Sequence, residues 1–171
     1  MILLNNEKNV VLGGFMGCGK TTLGKALALR LGRRFVDLDD HIAAAAGMSI
    51  PEIFAQQGEE AFRDLEHAAL RKLAGERGLV LATGGGAMAS ARNVALLRQS
   101  GVVLYLNPGF AVCCRRIRDS DRPLVTANTP EGLERIYLER QAVYRKAAHL
   151  ELNTAMPLEQ CVEAAVRLLG F

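Results

Sequence analysis

Five short apolar runs, at residues 10–12, 35–38, 79–82, 102–106 and 149–152, recur along the chain. The first, third and fourth are continuous rather than alternating, the pattern of strands buried on both faces. Between them lie segments with helical periodicity, at about 19–31, 39–47, 50–75 with a break near Gly58, 90–100, 109–118, 130–147 and 157–169. Start signals support two of these. Ser49-Ile50-Pro51-Glu52 has capping-box spacing, and Thr129-Pro130 puts proline at the first helical position. Strands that alternate with helices imply βα units on a parallel sheet. The predicted fold is therefore a three-layer α/β/α domain with five parallel strands, spanning 1–171 as a single domain. In such sheets ligands collect at the carboxyl ends of the strands, so the residues that follow each strand carry the functional reading.

The segment after the first strand is Gly14-Phe15-Met16-Gly17-Cys18-Gly19-Lys20-Thr21, followed by the helical Thr22-Leu23-Gly24-Lys25. This is the G-x-x-x-x-G-K-[ST] phosphate loop in its proper strand–loop–helix context. Glycines let backbone N–H groups converge on phosphate oxygens, and the helix N-terminus adds a favourable partial charge. Lys20 is expected to reach the β- and γ-phosphates of a nucleoside triphosphate, and the Thr21 hydroxyl to reach Mg²⁺. The third strand ends in Thr83-Gly84-Gly85-Gly86 with no acid. The metal carboxylate is therefore sought at Asp37 and Asp39, which an extended segment would place on one side. One suits the metal and the other a substrate hydroxyl, while Asp40 is expected to cap the helix that starts near His41. Three successive glycines imply that backbone must approach an acceptor substrate or the γ-phosphate closely.

Charge and composition narrow the ligand class. The net charge is +3, and 16 of the 21 basic residues are arginine, spread along the chain rather than massed. Nucleic acid is thus not expected as a partner, and anionic small molecules are, because guanidinium grips carboxylate and phosphate in a planar fork. Cys18, Cys113, Cys114 and Cys161 form neither a zinc spacing nor a disulfide framework, which fits a reducing cytoplasm. No export signal or membrane span is visible. The polar stretch at 119–129 lacks periodicity; by itself it is a surface loop, and placed before a long helix in a kinase it reads as a lid. His41, His67 and His149 join no constellation.

Taken together, these motifs resemble the shikimate kinases over nearly the whole chain. They are the loop from Gly14 to Thr22, Asp37-Leu38-Asp39, Glu60-Ala61-Phe62-Arg63-Asp64-Leu65-Glu66, the triple glycine, Arg115 seven residues before Arg122-Pro123-Leu124, and Tyr144-Arg145. The resemblance implies ATP-dependent phosphorylation of the 3-hydroxyl of shikimate, with Mg²⁺, in aromatic amino acid biosynthesis, by a chain expected to be monomeric. It implies that Gly17, Cys18, Gly19, Lys20, Thr21 and Thr22 hold the ATP phosphates, that Arg115 and Pro157 flank the adenine, and that Arg122 reaches the phosphates from the lid. Asp37 would hold Mg²⁺ through water and Asp39 would bind and deprotonate the acceptor. Arg63, fixed by Glu66, and Arg145 would grip the substrate carboxylate, with Gly84, Gly85 and Gly86 lining the acceptor site. Arg116 stands where threonine commonly follows the adenine arginine. A gluconate kinase and a nucleotide-gated regulatory module that no longer turns over stay open as alternatives at this point.

Overall fold

The computed structural model describes residues 7–120 and 122–171, with the Pro123 side chain excepted. Five strands, β1 (Asn9–Gly13), β2 (Arg34–Asp37), β3 (Leu79–Ala82), β4 (Gly101–Leu106) and β5 (Leu150–Leu152), form one sheet in the order β2-β3-β1-β4-β5. Every pairing is parallel. The helices are α1 (Lys20–Leu31), α2 (Leu38–Ala46), α3 (Ile50–Ala74), α4 (Ala91–Ser100), α5 (Phe110–Ile117), α6 (Pro123–Thr126), α7 (Pro130–Ala147) and α8 (Leu158–Leu169). The predicted fold class stands.

β1 lies at the centre because it is apolar on both faces: Val10, Val11 and Leu12 are fully buried, as are Val80 of β3 and Leu104 of β4 on either side. Its two neighbours come from opposite directions along the sheet, so the crevice at its carboxyl end is the switch point where such sheets bind ligands. Leu23 and Leu27 of α1 and Leu70 and Leu73 of α3 close the core over the strands. Truncating one of these leucines to alanine should cost about 2–5 kcal/mol, so the frame that carries the loops depends on each of them.

The helix starts follow their caps. Ser49 Oγ accepts the Glu52 N–H at 3.3 Å while Glu52 Oε2 accepts the Ser49 N–H at 2.7 Å, completing the capping box. Thr129 Oγ1 accepts the Gly132 N–H at 3.1 Å. The break expected near Gly58 is a kink rather than an end: Gly58 takes φ 84° and ψ 173° inside α3, a conformation that glycine tolerates, and the helix resumes. The patternless stretch at 119–129 contains the single turn α6; the notion of a lid there includes Asp121, which lies outside the described residues.

β5 is tied to β4 by a histidine. The Val103 N–H donates to His149 Nδ1 at 3.0 Å, and the His149 N–H donates to the Val103 carbonyl at 2.8 Å. Burial holds the imidazole below its ordinary pKa of 6.5, helped by Arg98 and Lys8. Only neutral imidazole can accept at Nδ1, so the unfolded chain binds this proton more readily than the folded one. Stability contributed by His149 is present above about pH 6.5 and is lost as pH falls through the lowered folded value. Thermal melts of the wild type from pH 7.5 to 5 should therefore fall more steeply than those of His149→Gln, whose amide oxygen accepts at any pH; equal acid sensitivity would contradict the assignment.

Candidate active site

The loop between β1 and α1 is the phosphate cradle that the motif predicts. Gly14 (φ 145°), Gly17 (φ 77°) and Gly19 (φ 102°) all need backbone geometry that side chains resist. Packing leaves no room either: a β-carbon on Gly14 would lie 2.6 Å from the Leu106 carbonyl oxygen. Gly19 caps α1 without any side-chain acceptor, leaving the first amides of the helix to an incoming anion. Lys20 Nζ donates to the carbonyl oxygens of Gly14 at 2.6 Å and Phe15 at 3.2 Å, which holds its ammonium over the loop.

Thr21 and Asp37, the two residues read as metal ligands, meet directly: Thr21 Oγ1 donates to Asp37 Oδ2 at 2.9 Å. Two corrections concern the aspartates. β2 ends at Asp37 and α2 begins at Leu38, so Asp37 and Asp39 do not share one side of an extended strand. Asp37, rather than Asp40, is the N-cap: its Oδ1 accepts the N–H groups of Asp39 at 3.1 Å and Asp40 at 3.3 Å. Capping from 37 leaves Asp40 exposed and turns Asp39 inward in the first turn, where a β-carbon on Gly84 would sit 2.7 Å from its Oδ1. Burial, followed by the neighbouring Asp37, pushes the Asp39 carboxyl above its ordinary pKa, against the pull of Lys20 and Arg63. A raised carboxylate at a glycine-lined wall has the proton affinity a general base needs.

Arg63 and Glu66 lie at i,i+3 on α3, a spacing that on an exposed face makes a weak ion pair. Here Glu66 is 1% exposed, and its Oε1 and Oε2 accept Arg63 Nη1 at 3.0 and 3.2 Å. Burial raises the Glu66 carboxyl and Arg63 opposes that rise. The second nitrogen of the guanidinium, Nη2, faces Gly86, where a β-carbon would be only 2.6 Å away.

The structure separates Arg145 from this site. Arg145 is exposed at the end of α7, and its Nε and Nη2 donate to Glu151 of β5 at 3.1 and 3.0 Å. The α7 arginine at the triple glycine is Arg140, five residues earlier: its Nη1 would be 3.3 Å from a β-carbon on Gly85. Tyr144, buried at i+4 on the same face, donates its hydroxyl to the Gly85 carbonyl at 2.7 Å. The physical reason is helical phase. Arg140 shares the inward face with Tyr137 and Tyr144, whereas Arg145 is rotated about 100° from Tyr144. That periodicity was readable in the sequence and points to Arg140.

The remaining predicted residues are placed but not joined. Arg115, in the last turn of α5, and Pro157, at the N-cap of α8, are exposed on elements that border the loop. Thr22 is exposed on α1, and Arg122 is exposed just before α6, where its carbonyl accepts the Val125 N–H. Cys18 is fully buried beneath Lys20, at 3.6 Å from Nζ. Among the described residues no group of three or more His, Cys, Asp and Glu side chains could enclose a metal ion, and no helix is long and apolar enough to cross a membrane.

Comparison with known proteins gives the family and confirms the fold. Residues 16–169 match the family model described as shikimate kinase. A shikimate kinase of Geobacter sulfurreducens is 48% identical over 157 residues, which cover 91% of this chain and 86% of that protein. One of Bordetella avium is 42% identical, covering 94% and 78%. Among solved structures, the shikimate kinase of Acinetobacter baumannii in complex with shikimate superposes with a TM-score of 0.88 at 39% identity, over 95% of this chain and 92% of that one. A gluconokinase of Sinorhizobium meliloti, at 19% identity and a TM-score of 0.65, shares the fold alone. A family model that spans most of the chain, and relatives 48% and 42% identical over more than nine-tenths of it, show that the chain belongs to the shikimate kinase family.

Proposed function

We propose that this chain transfers the γ-phosphoryl group of ATP to the 3-hydroxyl of shikimate. The observation that carries the reading is the opposition, across Gly84-Gly85-Gly86, of one carboxylate with raised proton affinity and two guanidinium groups. A ring with hydroxyls at one end and a carboxylate at the other fits that polarity. Gluconate also carries a carboxylate and hydroxyls, but the family match favours the cyclic acid.

In the proposed complex the phosphates lie along residues 14–22, with Lys20 on the β- and γ-phosphates. Arg122 approaches from the 119–129 segment, and Arg115 and Pro157 flank the base. The Thr21 hydroxyl and the Asp37 carboxylate, hard oxygen donors in mutual contact, suit Mg²⁺, which takes few protein ligands and fills its shell with phosphate oxygens and water. Bound there, Mg²⁺ would neutralise charge on the phosphates. Asp39 accepts the proton of the 3-hydroxyl as that oxygen bonds to the γ-phosphorus and the bond to the β-phosphate oxygen breaks, releasing ADP. Arg63, held by Glu66, and Arg140 fix the carboxylate and so set the distance from hydroxyl to phosphorus. Positioning of this kind supplies much of the barrier reduction in phosphoryl transfer.

Carboxylate recognition divides the arginines of α7. Arg140→Ala and Arg63→Ala should each weaken shikimate binding by roughly 30-fold or more, about 2 kcal/mol, with ATP affinity kept within about twofold. Arg145→Ala should leave shikimate affinity within about twofold, since its loss removes only an exposed ion pair. Calorimetric titration decides; a large effect at 145 and none at 140 would reverse the assignment.

The aspartates divide by role. Asp39→Asn should lower kcat by about 10²–10⁴ and keep ATP binding, whereas Asp37→Asn should chiefly raise the Mg²⁺ needed for half-maximal rate. Because the folded pKa of Asp39 lies above its unfolded value, ionising it in the native state costs stability at every pH above both values. Asp39→Asn should therefore melt higher than wild type at pH 7 while losing turnover. A variant that is active, or inactive and less stable, would contradict the buried-base reading.

A further inference from the structure

Two successive peptide groups of the phosphate loop are held from outside the cradle by residues that the motif does not contain. Arg116 of α5 donates from Nη1 to the Gly17 carbonyl at 3.1 Å and from Nη2 to the Thr154 carbonyl at 2.9 Å. Thr154, 4% exposed in the connection between β5 and α8, donates its hydroxyl to the Cys18 carbonyl at 2.7 Å. The loop, the helix bearing Arg115 and the segment leading to Pro157 thus share one small network.

Peptide geometry turns these contacts into a statement about the cradle. No peptide bond is cis among the described residues, so each carbonyl points opposite to the N–H of the following residue. With its carbonyl held by Arg116, the Gly17–Cys18 peptide turns the Cys18 N–H the other way, where it closes a turn onto the Phe15 carbonyl at 3.1 Å. The Cys18–Gly19 peptide, its carbonyl held by Thr154, turns the Gly19 N–H away from Thr154 at the uncapped start of α1, where helix geometry favours an anion. Glycines at 17 and 19 make these peptides soft, since neither residue restrains φ by its own side chain. An external restraint is what gives such a loop a single orientation.

We propose that Arg116 and Thr154 are positioning residues for nucleotide binding: from behind the loop Arg116 fixes the peptide whose N–H closes the turn onto Phe15, Thr154 fixes the peptide whose Gly19 N–H is left for the phosphates, and together they lock the loop in register with the segment that borders the base. The inference rests on reading residues 14–22 as the ATP-phosphate cradle and adds to it two residues outside the phosphate-loop motif. The guanidinium also lies near the N-terminus of α1, 3.7 Å from where a β-carbon of Gly19 would be. A control must therefore separate its charge from its hydrogen bonds. Arg118, exposed two residues further along the chain, supplies one.

The test is titration of MgADP, of Mg-pyrophosphate and of shikimate into wild type, Arg116→Ala, Arg116→Lys, Thr154→Val and Arg118→Ala, with melting temperature and steady-state kinetics on each. Arg116→Ala and Thr154→Val should weaken both MgADP and Mg-pyrophosphate by roughly tenfold, the scale of one lost charge-assisted or buried hydrogen bond. The KM for ATP should rise in step, while shikimate affinity stays within about twofold and kcat at saturating ATP falls little. Arg116→Lys should recover part of the loss, because an ammonium reaches one carbonyl at a time rather than two through a planar fork. Arg118→Ala should bind all three ligands as wild type does. Equal small losses in Arg116→Ala and Arg118→Ala would reduce the effect to net charge and overturn the proposal, as would a lowered melting temperature with unchanged ligand affinities. Should Thr154→Val not fold, the Arg116 variants decide alone, since that side chain lies at the surface. Absence of MgADP binding in the wild type would instead refute the ATP reading itself.

Discussion

Three consecutive residues without side chains let three charged groups converge on one strip of backbone. Asp39 occupies the space a β-carbon would need at Gly84, Arg140 crowds that of Gly85, and Arg63 that of Gly86. No other residue type leaves room for all three. The close approach fixes both what the pocket can hold and which way it can lie. A negative group is favoured toward the two guanidinium groups, and a proton to be removed is favoured toward the carboxylate. The rest of the molecule serves this strip: β3 delivers it to the sheet's carboxyl edge beside the phosphate loop, and the Tyr144 hydroxyl pins the Gly85 carbonyl from α7.

Holding such a cluster half out of water is costly, and the structure distributes that cost. Glu66 is buried, yet both its oxygens are spent on one guanidinium, so the charge that disfavours burial is paired within its own helix. Asp39 has no such partner at hydrogen-bond distance among the described residues; burial and Asp37 raise it, and the more distant Lys20 and Arg63 only moderate the rise. The difference in treatment fits the roles proposed for the two carboxylates. A carboxylate that positions an arginine gains from staying ionised, whereas one that must take up a proton gains from being poised to do so.

Much of this was legible in the chain itself. The all-apolar run at 10–12 followed by the phosphate-loop motif announced both the central strand and its crevice, because burial on two faces leaves few other readings. What the sequence left open was decided by geometry over a few residues. The Asp37-Leu38-Asp39-Asp40 run carries three carboxylates, and only the point where strand gives way to helix selects Asp37 as the cap. Arg140 and Arg145 differ by about 140° of helical phase, and the motif reading took Arg145 where the structure places Arg140 beside the triple glycine. Arg116 and Thr154 are far apart in sequence, and they meet only because β5 lies beside β4.

The central claim, that glycine at 84–86 exists to admit charged side chains, is tested most directly at Gly86. Gly86 has φ −98°, which any residue can adopt, so an alanine there changes occupancy and not backbone strain. Its β-carbon would displace the tip of a flexible Arg63 rather than packed backbone. Shikimate affinity of Gly86→Ala, measured by calorimetry beside its melting temperature, should fall roughly tenfold or more with the fold and MgADP binding retained. Wild-type shikimate affinity in a folded Gly86→Ala protein would contradict the account.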